Sequence, residues 1–214
     1  MTDQANFLTN GLPRGVYLYD YFLEFNTDFR QWIKYEELML KNNKKQSKED
    51  KQEMMINIFN LCFKDGLDVL NYIDAEIAIN QILWFFTMGG YEEKELPEDE
   101  EIDDDVVKKK SKIIYSFTHD WGFIYSAFMQ CYGLDLFETD LHWWKFKSLF
   151  DCLSEDTQFS KILGYRAKVI NSKMSKEEKK FYRNMKRIYG LPDTRTEEEK
   201  ETSFARSMFA SMKE

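Results

Sequence analysis

The chain has 214 residues, which is enough for one domain or two small ones with a real hydrophobic core. The formal net charge is −8, and residues 92–105 hold ten acids and one lysine, so the remainder is about neutral. That balance offers no basic footprint for nucleic acid, and no apolar run is long enough to span a membrane. With 16% aromatic residues but only 9 Gly and 3 Pro, the composition favours a mainly helical protein.

The N-terminal part contains the one candidate for β-structure. Residues 1–14 are expected to form a loose terminus. Residues 16–25 (VYLYDYFLEF) are rich in β-branched and aromatic side chains and predict a small hairpin. The turn lacks an Asn-Gly pair, so an extended segment packed on helices is the alternative. A helix capped by Asn26 or Thr27 follows, with Asp28 in its first turn and a buried stripe of Phe29, Trp32, Ile33 and Leu40.

Two further helices complete an N-terminal helical module, residues 15–90. The first has a capping-box pattern, Ser47 followed by Asp50, and continues beyond Cys62. After a short connector (residues 67–73), Asp74 is placed to cap a strongly apolar helix over residues 75–88. Residues 91–112 (YEEKELPEDEEIDDDVVKKKSK) then predict a flexible acidic linker, because blocks of like charge repel.

An aromatic C-terminal module spans residues 113–192, and its centre is the most distinctive part of the chain. The sequence leaves open whether this module shares a core with residues 15–90. Its first helix is predicted to begin near Thr118, with Asp120 in the first turn. Apolar side chains cover most of its circumference, Trp121 included, which is typical of a core helix. Gly133 is expected to end it in a left-handed conformation.

The second helix of this module is predicted to begin near Thr139 or Asp140. Trp143 lies on one apolar arc, and His142 is interpreted as a hydrogen-bonded structural residue rather than a ligand or base. Trp144 points the opposite way. It either packs against the same chain or marks a partner-binding surface. Asp135, in the break between the helices, is interpreted as a structural capping acid, and Trp121, Asp135, His142 and Trp143 together as a structural motif.

Two more helices and a tail follow. Asp156 or Thr157 caps the first, in which Arg166 is a candidate for a structural ion pair. Ser175 begins a second capping box, and that helix runs to residue 189 with a basic surface that we interpret as solvated. The tail, residues 193–214, has an amphipathic pattern that can dock on a partner, fold back on its own chain or stay disordered; the residues are Phe204, Met208, Phe209 and Met212. The whole predicts a bundle of about seven helices.

No catalytic constellation is apparent, so the chain is not expected to be an enzyme and no cofactor is expected. The two histidines, His119 and His142, do not form a metal-binding pair, and no phosphate-binding loop or nucleophile elbow occurs. Three cysteines without paired spacing indicate buried, reduced thiols rather than disulfides; they are Cys62, Cys131 and Cys152.

Several strings resemble the bacteriophage gene-product-fifteen family of tailed phages of Gram-positive bacteria. The strings are YSFTHDWGFIYSAFMQCYGLDL (115–136), LHWWKFKSLFDCL (141–153), SKILGYR (160–166), KEEKKFYRNMKRIYGLP (176–192) and FNTDFRQWIKYEELM (25–39). The LHWWKF string is the most specific, and the resemblance covers most of residues 15–192.

The resemblance implies a tail-morphogenesis protein that works in the cytoplasm of the bacterial host during phage assembly. Such proteins usually serve as tail assembly chaperones. The expected partner is the tape-measure protein, with the tail tube protein and a sister chaperone as further partners, in a homo- or hetero-oligomer. The alternative is a tail-completion or connector protein retained in the virion. Partner contacts are expected at Trp144, Phe204, Met208 and Phe209.

Overall fold

The computed structural model describes residues 7–41, 47–90 and 113–192, and within them the protein is mainly helical, as predicted. The seven predicted helices are all present, together with a short N-terminal helix and a 3-10 helix in the predicted connector. In chain order the elements are α1 (Phe7–Asn10), β1 (Gly15–Leu18), β2 (Tyr21–Glu24), α2 (Phe29–Lys41), α3 (Lys48–Cys62), the 3-10 helix (Gly66–Asn71), α4 (Ala75–Phe86), α5 (Phe117–Tyr132), α6 (Trp143–Asp151), α7 (Gln158–Ala167) and α8 (Lys176–Ile188).

The predicted hairpin is present despite its unusual turn. Strands β1 and β2 pair antiparallel, with Gly15 opposite Glu24 and Leu18 opposite Tyr21. The two turn residues are Tyr19 and Asp20, and Tyr19 adopts a left-handed φ of 54° that Asn or Gly would adopt more easily. Gly15 is required by close packing, because a Cβ there would lie 2.2 Å from the Leu23 carbonyl oxygen.

The predicted N-terminal caps are confirmed at three helices. Ser47 and Ser175 each form a complete capping box, with Asp50 and Glu178 as the reciprocal partners. Thr157 caps α7 by accepting a hydrogen bond from the amide of Ser160. These patterns succeed because a capping box depends on residues within one turn of each other.

At three other helices the predicted cap was wrong by one to three residues. Ser116 rather than Thr118 caps α5, and the Thr118 hydroxyl instead donates to the Glu37 carboxylate. Asp28 caps α2, since its carboxylate accepts from the Arg30 amide at 2.8 Å. His142 rather than Thr139 or Asp140 caps α6. In each case several adjacent residues were competent caps, and tertiary contacts decided among them.

One hydrophobic core joins the two predicted modules. Trp32 on α2 lies 4.8 Å from Phe85 on α4 and 6.3 Å from Trp143 on α6, measured between ring centroids. Phe146 on α6 stacks on Phe29 of α2 at 4.5 Å. Residues on both sides of the acidic segment therefore belong to a single buried cluster, which answers the question that the sequence left open.

Other features of the core differ from expectation. Helix α5 is only partly a core helix, because Trp121, Phe123 and Met129 remain exposed. Of the three cysteines only Cys62 is buried; Cys131 is partly exposed and Cys152 is exposed. Gly133 ends α5 with a left-handed φ of 63°, as predicted.

Several predicted segments lie outside the described residues: residues 1–6 of the predicted loose N-terminus, the acidic linker at residues 91–112, and the tail at 193–214. Residues 7–14 are not loose, because Phe7–Asn10 form α1 and the Phe7 ring packs on Trp144. Within the described ranges, no helix is long and apolar enough to cross a membrane.

Candidate interaction surface

A surface group of three aromatic residues, two exposed and one partly buried, is the most prominent candidate site. Trp121 and Tyr125 lie one turn apart on α5, and Phe137 lies in the loop that follows. The Phe137 ring contacts Trp121 at 6.2 Å and Tyr125 at 5.1 Å between centroids. Trp121 is nevertheless 60% exposed and Phe137 is 65% exposed. We call these three residues the aromatic patch. Apolar side chains clustered on a surface typically mark an interaction site.

The loop carrying Phe137 is held by Asp135. One oxygen of its carboxylate accepts a hydrogen bond from the Phe137 amide at 2.9 Å, which closes a tight local turn. The other oxygen accepts from the Tyr125 hydroxyl at 3.3 Å. Desolvation and the nearby Asp135 charge raise the pKa of Tyr125 above its ordinary value. Asp135 thereby fixes two of the three aromatic residues relative to each other.

Arg30 ties the same loop to the rest of the protein. Its guanidinium donates to the carbonyl oxygens of Leu136, Phe137 and Thr139 at 3.0, 3.3 and 3.1 Å. It also forms ion pairs with Asp28 at 3.2 Å and with Asp140 at 3.3 Å. A planar donor fork suits such a set of acceptors. The patch is therefore presented on a loop that is anchored at both its main chain and its side chains.

A buried ion pair fixes helix α5 beneath the patch. Arg166 on α7 donates two hydrogen bonds to the Asp120 carboxylate, at 2.6 and 2.8 Å, and both residues are almost completely buried. The guanidinium also donates to the carbonyl oxygens of Ile114 and Tyr189. The Ser116 amide donates to Asp120 as well. The prediction of a structural ion pair at Arg166 is confirmed, and every donor shown here has an acceptor, as a buried pair requires.

Trp144 lies inside the protein. Only 4% of its surface is exposed, so the expectation of an exposed face at Trp144 is wrong. Its indole nitrogen donates to the Phe85 carbonyl oxygen at 2.7 Å, and its ring contacts Phe7 at 4.8 Å. Helix α6 is sandwiched between elements from distant parts of the chain, and almost none of the Trp144 side chain is accessible to a partner.

His142 and Trp143 lie next to Trp144 and have structural contacts. The His142 side chain accepts from the Trp144 amide through Nδ1 at 3.1 Å, while Nε2 donates to the Pro13 carbonyl oxygen at 2.9 Å. Burial lowers the pKa of His142, and the hydrogen bond to Pro13 opposes part of that effect. Trp143 is fully buried, and its indole donates to the Phe86 carbonyl oxygen at 3.0 Å.

The remaining predicted site residues divide into two groups. Trp121 and Asp135 come together in the aromatic patch and its support. The predicted partner contacts in the tail, Phe204, Met208 and Phe209, lie outside the described residues. Sequence reasoning missed Phe137 and Arg30. The signal for Phe137 was an aromatic residue in the short break between two helices. No pattern in the neighbouring sequence indicates Arg30, which lies 106–109 residues from the carbonyls it holds.

A second exposed aromatic group lies on the hairpin. Tyr17 contacts Phe22 across the two strands at 4.9 Å, and both side chains are exposed. On the hairpin's other side Tyr21 stacks on Tyr72 at 4.3 Å and donates to Asp65. Burial, followed by the Asp65 hydrogen bond, raises the pKa of Tyr21 to about 12. These rings contact one another within and beside the hairpin. Mutations in them therefore serve as a control for mutations in the aromatic patch.

The described residues offer little for catalysis. They contain no group of three or more His, Cys, Asp or Glu side chains that could hold a metal ion. Tyr115 donates to the Glu36 carboxylate at 2.7 Å. Burial raises the pKa of Glu36, and the Tyr115 hydrogen bond only partly offsets this effect. One such pair links two elements but supplies neither a nucleophile nor an oxyanion site.

The fold and the surface thus define a mainly helical protein whose prominent site is an anchored patch of aromatic side chains. Residues 8–191 match the family described as Bacteriophage Gp15 protein, and the chain belongs to that family. The protein is accordingly a phage structural or morphogenesis protein. Comparisons with curated proteins and with solved structures gave no significant match.

Proposed function

We propose that the protein is a tail assembly chaperone that binds the tape-measure protein and aids tail tube assembly in the host cytoplasm. The observation that supports this function is the aromatic patch, together with membership of the family. A tape-measure protein is long, helical and apolar, and such a chain needs its apolar surface covered before the tube encloses it. Exposed Trp, Tyr and Phe side chains supply the contacts that dominate binding energy at protein interfaces.

The proposed mode of binding is an apolar helix laid across α5 and the Phe137 loop. Trp121, Tyr125 and Met129 recur every four residues on α5 and form one stripe along it, and Met129 is also exposed. Phe137 forms one wall beside this stripe. Because Arg30 and Asp135 already hold the loop, binding loses less conformational entropy than it would with a free loop.

Further contacts are proposed beyond the described residues. Phe204, Met208 and Phe209 recur at helical spacing in the tail and would contact the same partner. The tail tube protein and a sister chaperone are proposed as additional partners, in a homo- or hetero-oligomer.

The test is co-expression of the tape-measure protein with three forms of this chain. The wild-type chain is expected to keep the partner soluble and to co-purify with it. The double variant Trp121→Ala/Phe137→Ala should weaken the complex by about tenfold or more, because two exposed aromatic anchors are lost. The matched control is Tyr17→Ala/Phe22→Ala, which removes an exposed aromatic pair from the hairpin and should leave binding unchanged.

Each result bears on a different part of the proposal. An insoluble partner with no complex would contradict the chaperone function. If the complex tolerates Trp121→Ala/Phe137→Ala but not Tyr17→Ala/Phe22→Ala, the binding surface lies on the hairpin and not on the aromatic patch.

A structural role as a tail-completion or connector protein is the second candidate. The hairpin group favours it, since a subunit of a particle needs contact surfaces on more than one side. Mass spectrometry of purified particles separates the two functions. A chaperone should be scarce in the particle, whereas a structural subunit should be present in stoichiometric amount.

A further inference from the structure

Helix α8 is the least buried long helix in the described part of the chain. None of its 13 residues is buried, and it rests mainly on α7. Among the contacts that hold it there, the Phe181 ring lies 5.9 Å from Tyr165, and Lys186 donates to the Arg166 carbonyl oxygen at 2.6 Å. Phe181 remains 48% exposed and Ile188 remains 55% exposed. These two residues lie seven positions apart, so they share one side of the helix.

The outer side of α8 is an open, shallow surface. It is lined by Glu177, Lys180, Phe181, Arg183, Asn184 and Arg187. Lys180, Arg183 and Arg187 make it basic, and in the described ranges none of the three forms a salt bridge. An occupant of this surface needs apolar side chains to cover Phe181 and Ile188 and carboxylates to meet the cations.

Residues 193–214 contain both carboxylates and apolar side chains, and they begin five residues after the end of α8. Residues 197–201 (EEEKE) hold four acids and one lysine, and apolar residues follow at helical spacing; these are Phe204, Met208, Phe209 and Met212. Thr196 and Glu199 have the spacing of a capping box, which favours a helix from residue 197 onward. The described chain ends at Pro192, four residues beyond the end of α8.

The lengths also agree. Helix α8 is about 20 Å long, and a helix over residues 197–212 would be about 24 Å long. Residues 189–196 are enough for the short reversal that joins antiparallel helices, which usually takes 2–8 residues. A helix running back along α8 would place its acidic first turns near Arg187 and Arg183, and its apolar residues over Phe181.

We propose that residues 193–214 dock on the outer side of α8 in the same chain. The acidic segment lies against Lys180, Arg183 and Arg187, and the Phe204/Met208 face lies against Phe181. This docking does not depend on the proposed function. It occurs without a partner and covers the apolar face of the tail until a partner competes for it.

The test is hydrogen exchange of the amides of residues 200–212 in the full chain, without any partner. Exchange should be at least about tenfold slower than in a synthetic peptide of residues 193–214, because docking holds the helix closed. The variant Lys180→Glu/Arg183→Glu should raise exchange towards the peptide rate. Adding Glu198→Lys/Glu199→Lys to that variant should restore protection, since the charges are again complementary.

A matched control makes the same charge change elsewhere. Lys48→Glu/Lys51→Glu has the same three-residue spacing on α3, where both lysines are exposed, and should leave the tail protected. Circular dichroism of each variant establishes that the fold is intact. Peptide-like exchange in the wild-type chain would overturn the proposal. So would protection that survives Lys180→Glu/Arg183→Glu, or protection that rises with protein concentration, which would mean docking on a second copy.

Discussion

The aromatic cluster around Trp143 and the aromatic patch contain similar side chains, but the first is buried and the second is largely exposed. Trp143 stacks on Phe86 at 5.5 Å and is fully buried between α2, α4 and α6. Trp121 contacts Phe137 at a comparable distance and is mostly exposed. The aromatic content of a segment therefore does not decide whether it forms core or surface. The difference arises because other elements cover α6 on several sides but cover only one side of α5.

Removing each tryptophan should give the largest contrast. Trp143→Ala is expected to lower the free energy of unfolding by about 3–5 kcal/mol, because it leaves a cavity and removes the indole hydrogen bond to Phe86. Trp121→Ala should change it by less than about 0.5 kcal/mol, as is usual for an exposed side chain. Urea unfolding followed by circular dichroism measures both values. Similar losses for the two variants would show that Trp121 belongs to the core after all.

The buried ion pair beneath the patch should give the next largest effect. Asp120→Ala is expected to lower the free energy of unfolding by about 3 kcal/mol, because the Arg166 guanidinium is left buried without a carboxylate. The more exposed pair Lys147–Asp151 is the control. Asp151→Ala should cost at most about 0.5 kcal/mol, since exposed pairs on one helix contribute little. Equal losses would mean that the Asp120–Arg166 pair is not protected from solvent.

These two contrasts show what sequence reasoning can and cannot reach. The seven long helices, the hairpin and both capping boxes follow from patterns within a few residues, and the sequence alone predicted them. The burial of Trp144 depends on Phe7 and Phe85, which are distant in the sequence. The presentation of Phe137 depends on Arg30 in the same way. Contacts of this kind depend on how whole elements pack together, so the residue pattern within one helix does not predict them.

A smaller effect is expected at Arg30, which joins α2, a helix that packs on Trp143, to the loop that carries Phe137. Arg30→Leu should lower the free energy of unfolding by about 1–2 kcal/mol, because three carbonyl acceptors lose their donor in a partly solvated site. Hydrogen exchange in residues 136–140 should become faster, while exchange in α6 stays slow. Unchanged exchange in the loop would contradict the anchoring role of Arg30 and weaken the case for a fixed patch.

The smallest expected effect is a dependence of stability on pH from His142. Burial lowers the pKa of this side chain in the folded protein below its ordinary value of 6.5. The unfolded chain therefore binds a proton at a higher pH than the folded chain does. The stabilisation that neutral His142 gives is complete above pH 6.5 and is lost as pH falls below it. Thermal unfolding between pH 7.5 and 5 measures this loss.

His142→Asn isolates the contribution of that titration. Asparagine can still accept a hydrogen bond at a helix N-cap but has no proton to gain in this range. The variant should be somewhat less stable at pH 7.5, because the contact with Pro13 is weakened, yet its stability should fall less steeply towards pH 5. A slope equal to that of the wild type would assign the pH dependence to the carboxylates. Helix α6 would then be held by the burial of Trp143 and Trp144, without a contribution from the protonation state of its cap.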